Sequence, residues 1–167
     1  KRQAELQKEA VRLGETLREK RIQAAKEMET DICEELRQLD MPKIRFVCEF
    51  TPQEAAETGL DRVRFLMSAN VGEALKPLSK VASGGELARI MLAMKQVLAQ
   101  QDGVPTLIFD EVDAGVSGRA AQKVALKLWA VSKGRQVLCV THLPQIAAMA
   151  DAEFTVEKRV EHERTYT

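Results

Sequence analysis

The chain has 167 residues and carries 25 Lys+Arg against 25 Asp+Glu, so its formal net charge is zero. That length suits about one domain, and a composition that is 45% hydrophobic and 30% charged excludes wholesale disorder. The charge balance leaves no excess of cations to displace counterions from nucleic-acid phosphates, and no apolar run approaches the roughly 20 residues needed to cross a bilayer. Cys33, Cys48 and Cys139 are odd in number and widely spaced. They fit neither a zinc site nor a disulfide framework, and they point to a reducing compartment.

Residues 1–40 contain no Pro and one Gly, with sparse apolar positions among alternating charges. The opening Lys1-Arg2-Gln3-Ala4-Glu5 reads as the start of a charged helix rather than a signal peptide. Leu6 and Leu13 are seven apart, as are Ala10, Leu17 and Ala24; after a slip of one residue, so are Ala25, Ile32 and Leu39. A seven-residue spacing lines one seam of a helix, the pattern of a coiled coil. The helix would run about 57 Å at 1.5 Å per residue. It reads as the returning half of an antiparallel hairpin arm whose other half lies outside this chain. The alternative is an amphipathic helix packed on the body.

Met41-Pro42 ends that helix. Ile44, Phe46, Cys48 and Phe50 then alternate with Arg45, Val47 and Glu49, a strand. A polar connection over 51–61 leads to a second strand carrying Val63, Phe65 and Met67, and the two are expected to pair antiparallel. Residues 69–82 read as irregular, broken by Gly72 and Pro77. From Ser83 the pattern changes. Leu87, Ile90, Met91, Met94 and Leu98 mark a helix from Glu86 to about Gln100, and Leu107-Ile108-Phe109 is a short apolar strand. A helix over about 118–131, an apolar strand at 136–140, a helical turn opened by Pro144 and a last short strand at Phe154-Thr155-Val156 follow. Strands buried on both faces and alternating with helices predict an α/β fold, a parallel sheet with right-handed crossovers. Its ligand site is expected beyond the carboxyl ends of the strands.

Three motifs offer chemistry there. Asp110-Glu111 follow the apolar strand directly; one carboxylate can serve Mg²⁺ while its neighbour polarises a water, or the pair is simply a loop entry. Ser83-Gly84-Gly85-Glu86 opens a helix whose unpaired N–H groups and close-approach glycines suit a phosphate, or it is an ordinary capping box. Thr141-His142 ends the next apolar strand, and His142 is either a phosphate contact or a structural histidine.

In order and spacing these motifs resemble the C-terminal half of an ABC-type ATPase head: signature motif, Walker B, D-loop and H-loop. The runs Lys80–Arg89, Ile108–Gly118 and Val140–Gln145 more narrowly resemble the RecN family of bacterial DNA-repair proteins, relatives of the SMC proteins. The resemblance covers about residues 42–160. It implies the C-terminal lobe of such a head over 41–167, preceded by a returning coiled-coil helix at 1–40. It implies that Asp110 serves Mg²⁺, that Glu111 is the general base for the hydrolytic water, and that His142 touches the γ-phosphate of ATP. Ser83, Gly84, Gly85 and Glu86 are implied to bind ATP held by an opposite head, and Asp113, Ala114 and Gly115 to form the D-loop at the dimer interface. The implied partners are an N-terminal Walker A lobe and ascending coil of the same protein, a second head in an ATP-dependent homodimer, and DNA in double-strand break repair.

The sequence has no Gly-x-x-x-x-Gly-Lys-Ser/Thr loop to cradle the α- and β-phosphates. It is therefore expected to be a head fragment that by itself neither binds ATP tightly nor hydrolyses it. A cytoplasmic, nucleoid-associated protein is expected, with no membrane contact. An SMC-type chromosome-organising head and a non-catalytic coiled-coil interaction module are the alternatives.

Overall fold

The computed structural model describes residues 2–68, 70, 72–80, 84–99, 101, 103–157, 159–161 and 164–166. Helix α1 spans Arg2–Gln38. Ala, Leu, Glu, Lys, Arg and Gln dominate it, and these residues lose little on entering a helix. It stops where Asp40 turns left-handed at φ 59. There the Met41 amide donates to Leu36 O at 2.9 Å and the Asp40 amide to Arg37 O at 3.2 Å, which satisfies the last carbonyls before Pro42.

The two halves of α1 have different surroundings. Ala25, Ile32, Leu36 and, just past the helix, Leu39 are buried in the hydrophobic core, whereas Leu6 and Leu13 are exposed. The reading as a helix packed on the body therefore holds for the inner half, while the outer half leaves its apolar positions exposed. Gly14 marks the change: a Cβ there would meet the Leu60 side chain at 2.6 Å, so the helix touches the hairpin closely at that point.

Strands β1 (Arg45–Ala56) and β2 (Gly59–Ser68) form an antiparallel hairpin, with Phe46 opposite Met67 and Cys48 opposite Phe65. The polar connection expected over 51–61 is mostly strand. The ladder runs on through Thr51↔Arg62 and Pro52↔Asp61, and only Glu57-Thr58 turn, before Gly59 at φ 100. An irregularity between Pro52 and Ala56 absorbs the proline that made this stretch read as loop. The α1 helix grips the hairpin through polar bonds. Arg18 pairs with buried Asp61 at 2.8 Å, Arg21 Nη1 donates to Thr58 O at 2.7 Å, and the Cys48 amide donates to Glu29 Oε1 at 2.6 Å. Burial, reinforced by the Glu29 charge, raises the Cys48 thiol to about 11. A two-residue strand β3 (Lys76–Pro77) pairs with β2, and a 3-10 turn (Leu78–Lys80) follows within the stretch expected to be irregular.

Helix α2 (Gly84–Val97) leads to β4 (Thr106–Phe109), helix α3 (Gly118–Ser132) and β5 (Gln136–Cys139). The β4 and β5 strands pair in parallel, Thr106↔Gln136 through Phe109↔Cys139, as the β–α–β reading requires. Arg135 holds the crossover, donating from Nη2 to Ala99 O at 2.5 Å. The α3 helix is tied to the end of α1 by Lys123–Asp40 at 2.7 Å and Lys127–Glu35 at 2.6 Å. A short helix α4 (Pro144–Ala147) buries Ile146.

Two expectations fail at the sheet. Its strands are buried on one face only: Leu107 and Phe109 point into the core, while Ile108 is 71% and Val140 62% exposed. The helices of this chain cover a single side. Phe154-Thr155-Val156 is not a strand. Its apolar side chains are exposed, and it pairs with no sheet edge; the last strands are instead β6 (Arg159–Glu161) and β7 (Arg164–Tyr166), paired antiparallel with each other. No helix among the described residues is long and apolar enough to cross a membrane. The three cysteines are free.

The division of α1 gives a direct test. Ile32→Ala removes a fully buried side chain and should cost roughly 2–5 kcal/mol in urea unfolding of the chain. Leu13→Ala, on the exposed half, should stay within about 0.5 kcal/mol of the parent.

Candidate functional site

The carboxyl ends of β4 and β5 lie side by side, since the Val140 amide donates to Phe109 O at 2.9 Å. Beyond them come Asp110 and Glu111 on one strand and, after Val140, Thr141 and His142 on the other. The two motifs that the sequence separates by thirty residues therefore share one edge.

Asp110 is exposed, and its Oδ1 accepts the Glu111 amide at 2.9 Å. Glu111 adopts φ 56, a left-handed conformation that costs a side-chain-bearing residue about 1–2 kcal/mol. The turn is closed by the Ala114 amide donating to Glu111 O at 3.0 Å and the Val116 amide to Asp113 O at 3.2 Å. Within it Val112 is fully buried, and so is Asp113, at 3% exposure.

The Asp113 carboxylate is turned inward. Its Oδ2 accepts from Thr141 Oγ1 at 2.5 Å and from the His142 amide at 3.0 Å, and it lies 3.1 Å from His142 Nδ1. Burial pushes the Asp113 carboxyl up. The hydrogen bonds from Thr141 and the His142 amide, together with attraction to His142, outweigh it and hold the group below the usual carboxylate range. The His142 side chain is 74% exposed, so an outward-facing imidazole is anchored on a buried acid. Nearby, burial and then the charges of Asp113 and Asp110 raise the Cys139 thiol to about 11, which makes it a poor nucleophile.

The start of α2 meets the same turn. Glu111 Oε2 occupies the place that a Cβ on Gly84 would take. A Cβ on Gly85 would lie 2.7 Å from Ala114 Cβ, 3.0 Å from Ala114 O and 3.1 Å from Glu111 O. One turn further on, the largely buried Arg89 donates from Nη1 to Ala114 O at 2.7 Å. Burial lowers the Arg89 pKa, with Glu86 opposing that shift. The two glycines are thus required by close backbone approach. Gly115, at φ 73, has open space around it, unlike its neighbours Asp113 and Ala114.

Of the residues singled out from sequence, Gly84, Gly85, Glu111 and Ala114 form one contact group, and Asp113 and His142 another. The Asp110–Gly115 turn joins them, and Glu86 lies in the first turn of α2. Ser83 lies outside the described residues. The resemblance implied an interface role for Asp113, and the sequence reading gave no role to Thr141 or Arg89. Arg89 had a signal: it sits four residues from both Gly85 and Ala93, on a buried stripe of α2. Thr141 had only its adjacency to His142.

The residues suit a magnesium nucleotide in part. With Oδ1 engaged by the Glu111 amide, Asp110 retains a second carboxylate oxygen. No group of three or more potential ligands gathers among the described residues; Mg²⁺ commonly binds through one or two carboxylates, water and phosphate oxygens. A cradle for the α- and β-phosphates is not among the motifs of this sequence.

No family model matches the chain. Its fold is that of SMC ATPase head domains. It superposes on the Smc head with a coiled coil and joint from Pyrococcus yayanosii with a TM-score of 0.56 at 23% identity, covering 78% of this chain and 24% of that one. For the Smc head bound to the C-terminal domain of ScpA from Pyrococcus furiosus the TM-score is 0.54 at 23% identity, covering 74% and 30%. In sequence the chain is 48% identical over 159 residues to the DNA repair protein RecN of Bacillus subtilis, covering 86% of this chain and 28% of that protein. It is 44% identical over 169 residues to RecN of Treponema pallidum, covering 97% and 30%. The chain belongs to the RecN family, and it spans less than a third of the length of these relatives.

The glycine contacts separate two outcomes. Gly85→Ala presses a methyl onto two backbone oxygens that cannot give way and should destabilise the chain by about 1–3 kcal/mol. Gly84→Ala meets only the end of the flexible Glu111 side chain and should cost less than about 1 kcal/mol in the same unfolding assay. A pH series tests the buried acid. Because Asp113 sits below its ordinary value of 3.8, its contribution is complete above that value and is lost only as pH falls through the lower folded value. Hydrogen exchange should show the His142 amide still protected at pH 3.8 and losing protection below it.

Proposed function

We propose that the chain is the returning coil (1–40) and C-terminal lobe (41–167) of an ATPase head in a RecN-type protein of DNA double-strand break repair. The observation that supports this best is the meeting of four motif segments around one turn: Gly84-Gly85, Asp110-Glu111, Asp113-Ala114-Gly115 and Thr141-His142. Asp110 would hold Mg²⁺. When bound, that ion neutralises charge on the phosphate oxygens. Glu111 orients the attacking water and takes its proton, and His142 offers its outward ring to the γ-phosphate. Gly84, Gly85 and Glu86 at the α2 N-terminus face the nucleotide of a second head in an ATP-dependent homodimer, where a helix start favours an anion, and Ser83, which precedes them in sequence, binds the same nucleotide. Ala114 and Gly115, beside Asp113, lie at that junction. The reaction is phosphoryl transfer to water, driven by positioning and electrostatics.

Two uncovered apolar surfaces support the remaining partners. The bare face with Ile108, Leu138 and Val140 fits a covering lobe of the same protein that carries the phosphate cradle. The exposed Leu6 and Leu13 seam fits an ascending coil. DNA is engaged by the assembled protein, which works in the cytoplasm at the nucleoid, and the 1–167 chain alone is inactive.

In the intact protein, Glu111→Gln should lower ATP turnover by about 100-fold or more and leave nucleotide affinity within about threefold, because the amide keeps the shape and loses the base. Steady-state hydrolysis and equilibrium nucleotide binding measure the two. Turnover at the parental rate would remove Glu111 from the role of base.

A further inference from the structure

We propose that Asp113 is a positioning residue for His142, setting both the ring's orientation and its tautomer, rather than a residue that touches nucleotide. This deepens the ATPase reading above and rests on it for the kinetic arm of its test. The carboxylate is 3% exposed, so it has no surface to offer a ligand or a partner. Its Oδ2 instead collects two groups of the same residue, the His142 amide at 3.0 Å and the ring Nδ1 at 3.1 Å. Two anchors on one oxygen fix the backbone and the ring of His142 together.

Thr141 completes the arrangement. Its Oγ1 accepts from the Leu143 amide at 3.1 Å, so its own proton is directed to Asp113 Oδ2 at 2.5 Å. The acid is therefore held by a hydroxyl whose direction is already decided. Nδ1 faces the buried carboxylate at 3.1 Å; a neutral ring that keeps its proton on that nitrogen leaves Nε2 bare on the exposed edge, the edge that meets a phosphate or water. A buried carboxylate that holds an imidazole in one tautomer is a known device for keeping the opposite nitrogen in a working state.

The test uses the intact protein labelled with ¹⁵N-histidine, the His142 resonances being assigned by their loss in His142→Gln. On the neutral ring, Nδ1 should carry the proton in the parent. Asp113→Asn should shift the population toward the Nε2-protonated form, and Thr141→Val should do so more weakly. Thr141→Ser, which keeps the hydroxyl, should retain the parental ring signal where Thr141→Val does not. A purely structural role for Asp113 would lower stability and leave the tautomer ratio of the folded protein alone. In ATP hydrolysis Asp113→Asn should lower kcat about tenfold or more with KM within about twofold. An Nε2-protonated ring in the parent, or an unchanged ratio in Asp113→Asn, would overturn the proposal. So would a raised KM at unchanged kcat, which would put Asp113 on the nucleotide. Absence of turnover in the parent would sink the ATPase reading and leave the ring signals to decide this one.

Discussion

One buried oxygen, Asp113 Oδ2, holds the carboxyl edge of the β4–β5 pair in its observed form. A carboxylate removed from water is costly unless donors replace the water. Here the replacements are the Thr141 hydroxyl and the His142 amide, with the His142 ring beside them. All come from the other strand's exit, so the acid joins two loops that the β4–β5 ladder brings only to adjacency. The joined turn tolerates the left-handed Glu111 because bonds on either side over-determine its path. It also presents Ala114 to α2, where Arg89 bonds its carbonyl and Gly85 lies against it without room for a side chain. Two segments distant in sequence are thereby fixed to a turn of six residues.

The long helix adds a second constraint. Its inner half is part of the core, and its polar side chains stitch it to the hairpin and to α3 through Asp61, Glu29, Lys123 and Lys127. A displacement along α1 therefore reaches the lobe through its packed half, not through a hinge at Pro42. Residues 2–13 project beyond that grip with their apolar positions exposed. The seven-residue spacing recurs on both sides of the boundary, with a slip of one residue at Ala24-Ala25, because the same spacing serves a helical partner and a globular core. Periodicity reports which face is covered and is silent on what covers it.

That distinction explains what was legible in the sequence. Local signals were read well: α1, the hairpin pair, the β4–α3–β5 unit and the motif order follow from spacing, Pro and Gly positions and short apolar runs. Failures came from contacts at a distance. Pro52 suggested a loop, but the ladder passes it by means of an irregularity and closes only at Glu57-Thr58. Phe154-Thr155-Val156 has strand composition and finds no edge to pair with. Ile108, Leu138 and Val140 read as doubly buried, and one of their layers is not supplied by this chain's helices. At the site, residue identity placed the acids and the histidine on one edge. It did not show that Asp113 turns inward, because that depends on a threonine hydroxyl twenty-eight residues away.

The two bare surfaces differ in kind, and the difference bears on assembly. The α1 stripe is a narrow helical seam that another helix satisfies by side-chain interdigitation. The β4–β5 face is flat and needs a layer laid across it. The clamp around Asp113 depends on neither, since its donors all belong to this chain. In the proposed head, the groups that handle the γ-phosphate are therefore built before the lobe with the phosphate cradle docks, and docking need only bring nucleotide to them. Donors and acids held in place ahead of the reaction need no rearrangement when charge develops, and this is where fixed electrostatics contribute most. The energetic demand of assembly then falls on covering apolar surface rather than on ordering the site.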